Sequence, residues 1–161
     1  MKQLFWLRKG KIAGRSGPNK DPWNLNEIKS AGFSAILSVN DGEGVHESSV
    51  IQSGLNYANI SMSPNAPVRD GDLEHCLKNL PLAIKFIESN LINGAVLVHC
   101  RSGKDRTGLV LSAYLIASEG LSVELAMNTV FKVRPIAFSA EGWIEFGKQV
   151  LSKYISNEKG A

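Results

Sequence analysis

Apolar and polar positions divide the chain into two kinds of segment. Phe33 to Val39 (FSAILSV) is a dense apolar run that stops at Asn40-Asp41-Gly42, the pattern of a buried strand entering a turn. Leu55 to Met62 repeats it more weakly, ending in the Ser-Pro-Asn-Ala-Pro stretch from Ser63 to Pro67. Ala95 to Val98 (AVLV) repeats it after the Asn93-Gly94 break. Between the second and third runs, Leu73, Leu77, Leu80, Ile84, Ile87 and Leu91 recur at spacings of three and four, one face of a helix. Pro81 falls inside that face and predicts a kink or two abutting helices. Thr107 to Glu119 is mostly apolar, which predicts a helix buried on most sides and closed by Gly120. Ser122 to Val133 opens on a Ser N-cap and stops before Arg134-Pro135. Trp143, Phe146, Val150, Leu151 and Tyr154 mark a last stripe, read as core packing. Strands alternating with helices predict an α/β fold, a central, mainly parallel sheet flanked by helices, in one domain over residues 1–161.

Composition narrows the class without naming a function. The hydrophobic share of 43% and the net charge of +3 exclude a disordered chain and suit an anionic ligand, but are too diffuse to argue for nucleic acid. No apolar run approaches the roughly 20 residues that span a bilayer, and the apolar stretch within Met1 to Gly10 is too short for a secretory signal. Cys76 and Cys100 alone cannot make a disulfide scaffold, so a cytoplasmic, reducing compartment is expected. His46, His75 and His99 are widely spaced and no Cys-x-x-Cys or His-x-x-x-His pattern occurs, so neither a metal site nor a cofactor is expected.

The chemistry concentrates in Val96 to Gly108 (VLVHCRSGKDRTG), where a cysteine directly follows a short buried strand and a long helix follows six residues later. Ligands of open parallel sheets bind at the carboxyl ends of strands, where the chain turns into a helix. There the N–H groups of Arg101 through Arg106 can converge on a tetrahedral oxyanion, helped by the positive end of the helix dipole. Gly103 lets the backbone curl close to it. Cys100 at the floor of such a nest is expected to be a nucleophilic thiolate. Arg106 can hold two phosphate oxygens in its planar fork, and Thr107 can give its hydroxyl to the sulfur. Together with Arg101, Ser102, Gly103 and Lys104, these residues form the expected phosphate-binding loop. His99 is expected to be structural, and Cys76 to sit buried on a helix face.

His99-Cys100-Arg101-Ser102-Gly103-Lys104-Asp105-Arg106-Thr107-Gly108 resembles the HCxxGxxR[ST]G loop of the cysteine-dependent protein tyrosine phosphatases, and the chain is most similar to their small dual-specificity branch. Trp6 through Gly14 resembles that branch's first strand, and Val133-Arg134-Pro135 its late helix ending in Arg-Pro. The resemblance implies a dual-specificity phosphatase-like fold and phosphomonoester hydrolysis through a phosphocysteine intermediate. The implied substrate is a phosphorylated protein (phosphotyrosine, with some phosphoserine or phosphothreonine). Arg101 and Lys104 give the loop two cations besides Arg106, a pattern that resembles phosphoinositide phosphatases and keeps that alternative open.

One family feature is missing. Relatives carry a general-acid aspartate on a loop before the cysteine, whereas Ile60 to Pro67 holds no carboxylate and the matching position falls on or near Ser63. A serine is too weak an acid at neutral pH. Asp105 is the first substitute, because the Lys-Asp-Arg triplet resembles phosphatases whose loop aspartate is proposed for this role. Asp70 and Asp72 are the others, unless they cap the helix that begins near Leu73. Two rival classes remain: a phospho-residue binding module without catalysis, and a rhodanese-like sulfurtransferase that would carry persulfide on Cys100. The oligomeric state is left open.

Overall fold

A computed structural model describes residues 4–160. The parts of the domain-extent and secretory-signal expectations that concern residues 1–3 and 161 lie outside them. The strands are β1 (Phe5–Arg8), β2 (Ile12–Arg15), β3 (Phe33–Ser38), β4 (Asn56–Asn59) and β5 (Ala95–His99). The helices are α1 (Leu25–Ser30), α2 (Glu47–Gln52), α3 (Asp72–Leu91), α4 (Asp105–Glu119), α5 (Val123–Val133) and α6 (Trp143–Lys159).

The five strands lie side by side in the order β1-β2-β5-β3-β4, antiparallel only between β1 and β2. The sheet is therefore mainly parallel, as the alternation of elements predicts. β3 and β5 occupy its middle and are buried along their whole length, which is why they read as dense apolar runs. Val96 and Val98 face the cluster built with α3, α4, α5 and α6, whereas Ala95 and Leu97 face a smaller one with Ile28, Val50 and Leu55. Burying apolar area of this kind on both faces contributes about 25 cal/mol per Å². The parallel register places the ends of β2, β5 and β3 side by side, with Arg15 and Ser38 flanking His99.

Four local expectations need correction. The single N-terminal strand from Trp6 to Gly14 is two, folded into a hairpin at Gly10, whose φ of +78° suits the turn. Pro81 divides nothing: α3 runs as one helix of 20 residues with Pro81 on its exposed side, where solvent can meet the carbonyl that loses a donor. The helix expected from Thr107 begins at Asp105, so two polar loop residues form its first turn. The strand expected over Leu55 to Met62 is ladder-paired only from Asn56 to Asn59, although Ile60 N–H and Met62 N–H still bond the Ser38 and Val39 carbonyls. Helices α1 and α2, of 6 residues each, are too short to show a periodic face and were not anticipated.

Trp143, Phe146 and Tyr154 are buried at 2%, 3% and 3% exposure, so the last stripe is core. α4 is enclosed from Thr107 to Leu115, as its all-round apolar sequence requires, and Gly120 closes it in the left-handed conformation at φ +69°. Ser122 caps α5 by accepting from Leu125 N–H at 3.2 Å.

Candidate active site

Cys100 follows β5 at the carboxyl edge of the sheet and is 3% exposed. The loop after it is held from outside, one carbonyl at a time. Cys100 C=O meets His99 Nδ1 at 2.9 Å, and Arg101 C=O accepts from Gly17 N–H at 3.0 Å. Ser102 C=O accepts from Arg134 Nη2 at 2.7 Å and from Ser16 Oγ at 3.2 Å. Gly103 C=O accepts from Arg134 Nε at 3.2 Å, and Lys104 C=O from Gly108 N–H at 3.0 Å. Among the described residues no N–H from Arg101 to Arg106 donates to a protein acceptor. Each peptide unit carries its N–H and C=O in opposite directions, so carbonyls tied outward leave the amides pointing inward. Amides left without protein acceptors beside a bound set of carbonyls suit an oxyanion.

Thr107 Oγ1 donates to Cys100 Sγ at 3.1 Å. Arg106 lines the cleft beside the loop and makes no hydrogen bond or ion pair among the described residues. Arg134 also packs over the Phe5 ring at 5.3 Å. Burial lowers its pKa while the charge of Cys100 raises it, which puts this guanidinium within electrostatic reach of the sulfur. Gly103 sits at φ +65° with its backbone against Arg15, where an added Cβ would lie 2.6 Å from the Arg15 carbonyl carbon and oxygen. Arg15 is itself fully buried, ion-paired with Asp21 at 3.1 Å and 5.5 Å from the Trp23 ring centre, so it gives the loop a firm back wall.

Three further cations belong to the loop or touch it. Arg101 is exposed and pairs with Glu43 at 3.6 Å, and Ser102 Oγ accepts from Lys20 Nζ at 3.0 Å. Lys104 is half-buried, and its side chain has no hydrogen bond or ion pair among the described residues.

The carboxyls divide differently. Asp105 Oδ1 accepts from Ala140 N–H at 3.2 Å, which ties the first turn of α4 to the segment before α6. Asp70 lines the same cleft as Arg106, together with Asp41, Ser61, Ser63, Asp72 and His75. Asp72 is buried and accepts from Arg69 N–H at 2.7 Å and from Asn65 Nδ2 at 3.1 and 3.2 Å. Burial pushes its pKa up, but those bonds, Ser63 and the Arg69 charge outweigh it and hold the carboxyl below its usual range. Cys76 is fully buried on α3, with its pKa raised by burial. Among the described residues no cluster of three or more His, Cys, Asp or Glu could hold a metal ion, and no helix is long and apolar enough to cross a membrane.

The chain is similar to known proteins. The profile of the dual specificity phosphatase catalytic domain matches residues 24–152, most of the chain. This chain belongs to that family. Dual specificity protein phosphatase 12 of Mus musculus is 30% identical over 138 residues, 85% of this chain and 38% of its own. Phosphatidylglycerophosphate phosphatase PTPMT2 of Arabidopsis thaliana is 26% identical over 113 residues, 70% of this chain and 48% of its own. The chain thus spans less than half the length of either relative. The crystal structure of Tk-PTP in the active form superposes with a TM-score of 0.73 at 23% identity, covering 93% of this chain and 97% of that one, a match of fold.

In this dual-specificity phosphatase domain, sequence reasoning missed most of the groups that brace the loop. Arg134 was legible only as part of the Val-Arg-Pro resemblance. Ser16, Gly17 and Lys20, which bond the loop, and Asp41 and His75, which line the cleft, left no local signal, because sheet register and chain reversal bring them in from distant segments.

His99 is fully buried, and its pKa is pushed down to about 4. Burial is the main cause; the charges of Arg15 and Arg106 add to it, against the bond to Cys100 C=O. The unfolded chain takes up this proton near the ordinary value of 6.5, so stability from this group is full above pH 6.5 and is lost as pH falls toward 4. Wild type is expected to lose roughly 3 kcal/mol more than His99→Asn over that window. Denaturant unfolding at stepped pH measures it, and equal losses would show that His99 is not held neutral.

Proposed function

We propose that the domain hydrolyses phosphate monoesters in two steps with Cys100 as nucleophile. The arrangement that carries the reading is the loop from Cys100 to Lys104, whose carbonyls are bound from outside while the amides around the sulfur are left without protein acceptors. The Cys100 thiolate attacks phosphorus, the S–P bond forms, and the ester P–O bond breaks as its oxygen takes a proton. Arg106 and the amides carry the charge spread over the three transferring oxygens, the largest expected source of rate. Water then attacks phosphorus, the S–P bond breaks, and the Thr107 hydroxyl steadies the departing thiolate.

The leaving-group proton is assigned to Asp105, with Asp70 as the rival. Asp105 adjoins Arg106 and keeps its Oδ2 without a hydrogen bond among the described residues, whereas Asp70 faces the cleft beside Arg106. Asp72, held ionised by its donors, is unsuited to give up a proton. Asp105→Asn is expected to lower kcat about 10²-fold on phenyl phosphate and little on p-nitrophenyl phosphate, whose good leaving group needs no acid. The same split in Asp70→Asn instead would move the assignment, and equal losses on both substrates would make Asp105 a brace for Ala140.

The preferred substrate is a phosphorylated protein side chain. A phosphoinositide or other lipid phosphate is the second reading, supported by Lys104 and Lys20 at the rim and by a relative named for phosphatidylglycerophosphate. Side-by-side kcat/KM on a phosphotyrosine peptide and a soluble phosphoinositide separates them. Two buried free cysteines fit the cytoplasmic compartment assigned here. The enzyme reading itself is tested with Cys100→Ser on p-nitrophenyl phosphate, which is expected to abolish turnover. Phosphate binding without turnover in the wild type would make the domain a binding module.

A further inference from the structure

We infer that Phe138 is a positioning residue for the proton donor. Its left-handed backbone, held by a ring wedged between α4 and α6, aims Ala140 N–H at the Asp105 carboxyl, a role that rests on Asp105 giving the leaving group its proton.

Phe138 has φ +59°, and every other positive φ among the described residues belongs to glycine. A side chain of this bulk is disfavoured there, and such outliers persist only where the surroundings over-determine them, most often at functional sites. The ring is what holds this one. Phe138 is 1% exposed and meets the Phe131 ring edge-on at 5.8 Å. Gly108 of α4 and Gly147 of α6 lie against its two edges. A Cβ on Gly108 would be 3.1 Å from Phe138 Cε2, and one on Gly147 would be 2.8 Å from Cε1. Glycine inside a helix is unfavourable relative to alanine. Three locally unfavourable choices therefore meet at one ring, the pattern of a feature kept for function.

The strained residue lies between two grips on the loop. Before it, the Arg134 guanidinium donates to the Ser102 and Gly103 carbonyls. After it, Ala140 N–H donates to Asp105 Oδ1 at 3.2 Å, and Ala140 C=O accepts from Trp143 N–H at 3.0 Å where α6 begins. Two bonds close the chain on itself in between: Ala137 N–H to Arg134 C=O at 2.9 Å and Ser139 N–H to Ile136 C=O at 3.2 Å. Relaxing Phe138 to an ordinary negative φ would be a rotation of roughly 120°. The chain beyond it would swing, and Ala140 N–H would leave Asp105.

That bond has a chemical consequence. An N–H donor on Oδ1 makes it the carbonyl oxygen of the protonated acid, which puts the proton on Oδ2. It also fixes the plane of the carboxyl. A freely turning carboxyl would spread its proton over many directions, whereas transfer needs the donor within hydrogen-bond reach of the leaving oxygen.

The test places Phe138→Ala, Gly147→Ala and the double variant in wild type and in Asp105→Asn. Three quantities are read: kcat on phenyl phosphate, kcat on p-nitrophenyl phosphate, and the hydrogen-exchange rate of the Ala140 amide. Phe138→Ala is expected to lower kcat about 30-fold on phenyl phosphate but only about threefold on p-nitrophenyl phosphate, and to speed Ala140 exchange about tenfold or more. In Asp105→Asn the difference between the substrates should vanish, since no proton is left to aim. Gly147→Ala keeps the ring but presses a methyl on it, and should give the same split more weakly, about fivefold on phenyl phosphate. In the double variant that methyl enters space the ring has left, so the thermal midpoint should recover part of its loss while the split remains. Equal losses on both substrates, or a split that persists in Asp105→Asn, overturns the inference and leaves Phe138 a core residue only. An unchanged Ala140 exchange rate does the same, as does an Asp105→Asn that shows no split of its own. If Phe138→Ala does not fold, Gly147→Ala decides on the same readouts. A wild type that turns over neither substrate defeats the phosphatase reading; Ala140 exchange then decides alone, a faster rate in Phe138→Ala supporting the positioning and an unchanged one overturning it.

Discussion

Arg106→Lys is expected to lower kcat on p-nitrophenyl phosphate by on the order of 10³-fold while the fold survives. The substitution keeps one positive charge in the cleft shared with Asp41 and Asp70, so long-range attraction for an anion is little altered. What disappears is the planar fork. A phosphoryl group in transfer spreads its charge over three oxygens in one plane, and a guanidinium can bond two of them at once and follow their motion. An ammonium offers a point charge at a different reach. Arg106 makes no hydrogen bond or ion pair among the described residues, so its removal strands no buried partner, and the thermal midpoint should move little. The readout is kcat together with inhibition by inorganic phosphate. A loss of only a few-fold would mean that charge alone suffices and that the fork does not engage the transferring group.

Gly103→Ala is expected to cost more than any other single-atom-scale change in the loop, about 10²-fold or more in kcat/KM with a marked fall in stability. Two costs coincide. The residue holds φ +65°, which costs an alanine about 1–2 kcal/mol. The new methyl would lie 2.6 Å from the Arg15 carbonyl and 2.9 Å from Ser16 N, and these backbone atoms belong to a buried strand end that cannot yield. The loop itself must therefore move. Movement breaks the hold of Arg134 on the Ser102 and Gly103 carbonyls, at 2.7 and 3.2 Å, and the amides lose their common focus. The phosphate inhibition constant should rise in parallel with the loss of activity. An unchanged inhibition constant would show that the loop amides do not bind the anion.

The chemistry was legible in the sequence because it is local. Cys100, Gly103, Arg106 and Thr107 lie within eight residues, between a strand and a helix whose periods are plain. The sheet could be read for the same reason, since β3 and β5 are buried on both faces and leave dense apolar runs. The bracing of the loop could not be read. Arg134 meets Ser102 across 32 positions, and Ser16 meets it across 86. Such pairings depend on strand order, which no short pattern encodes. Pro81 misled because a helix with an exposed proline face accommodates what an enclosed one would not. The general acid stayed ambiguous for a related reason. Asp105 and Asp70 are far apart in sequence, and only the closing of the chain brings Asp70 beside Arg106 and Ala140 beside Asp105.

Rapid quenching of a turnover reaction, followed by mass analysis of the peptide that carries Cys100, probes the nucleophile itself. Wild type should carry a phosphoryl group on Cys100 that forms no more slowly than kcat and disappears when substrate is exhausted, and Cys100→Ser should carry none. Steady turnover with Cys100 never phosphorylated, or with the phosphoryl group on another residue, would contradict the account.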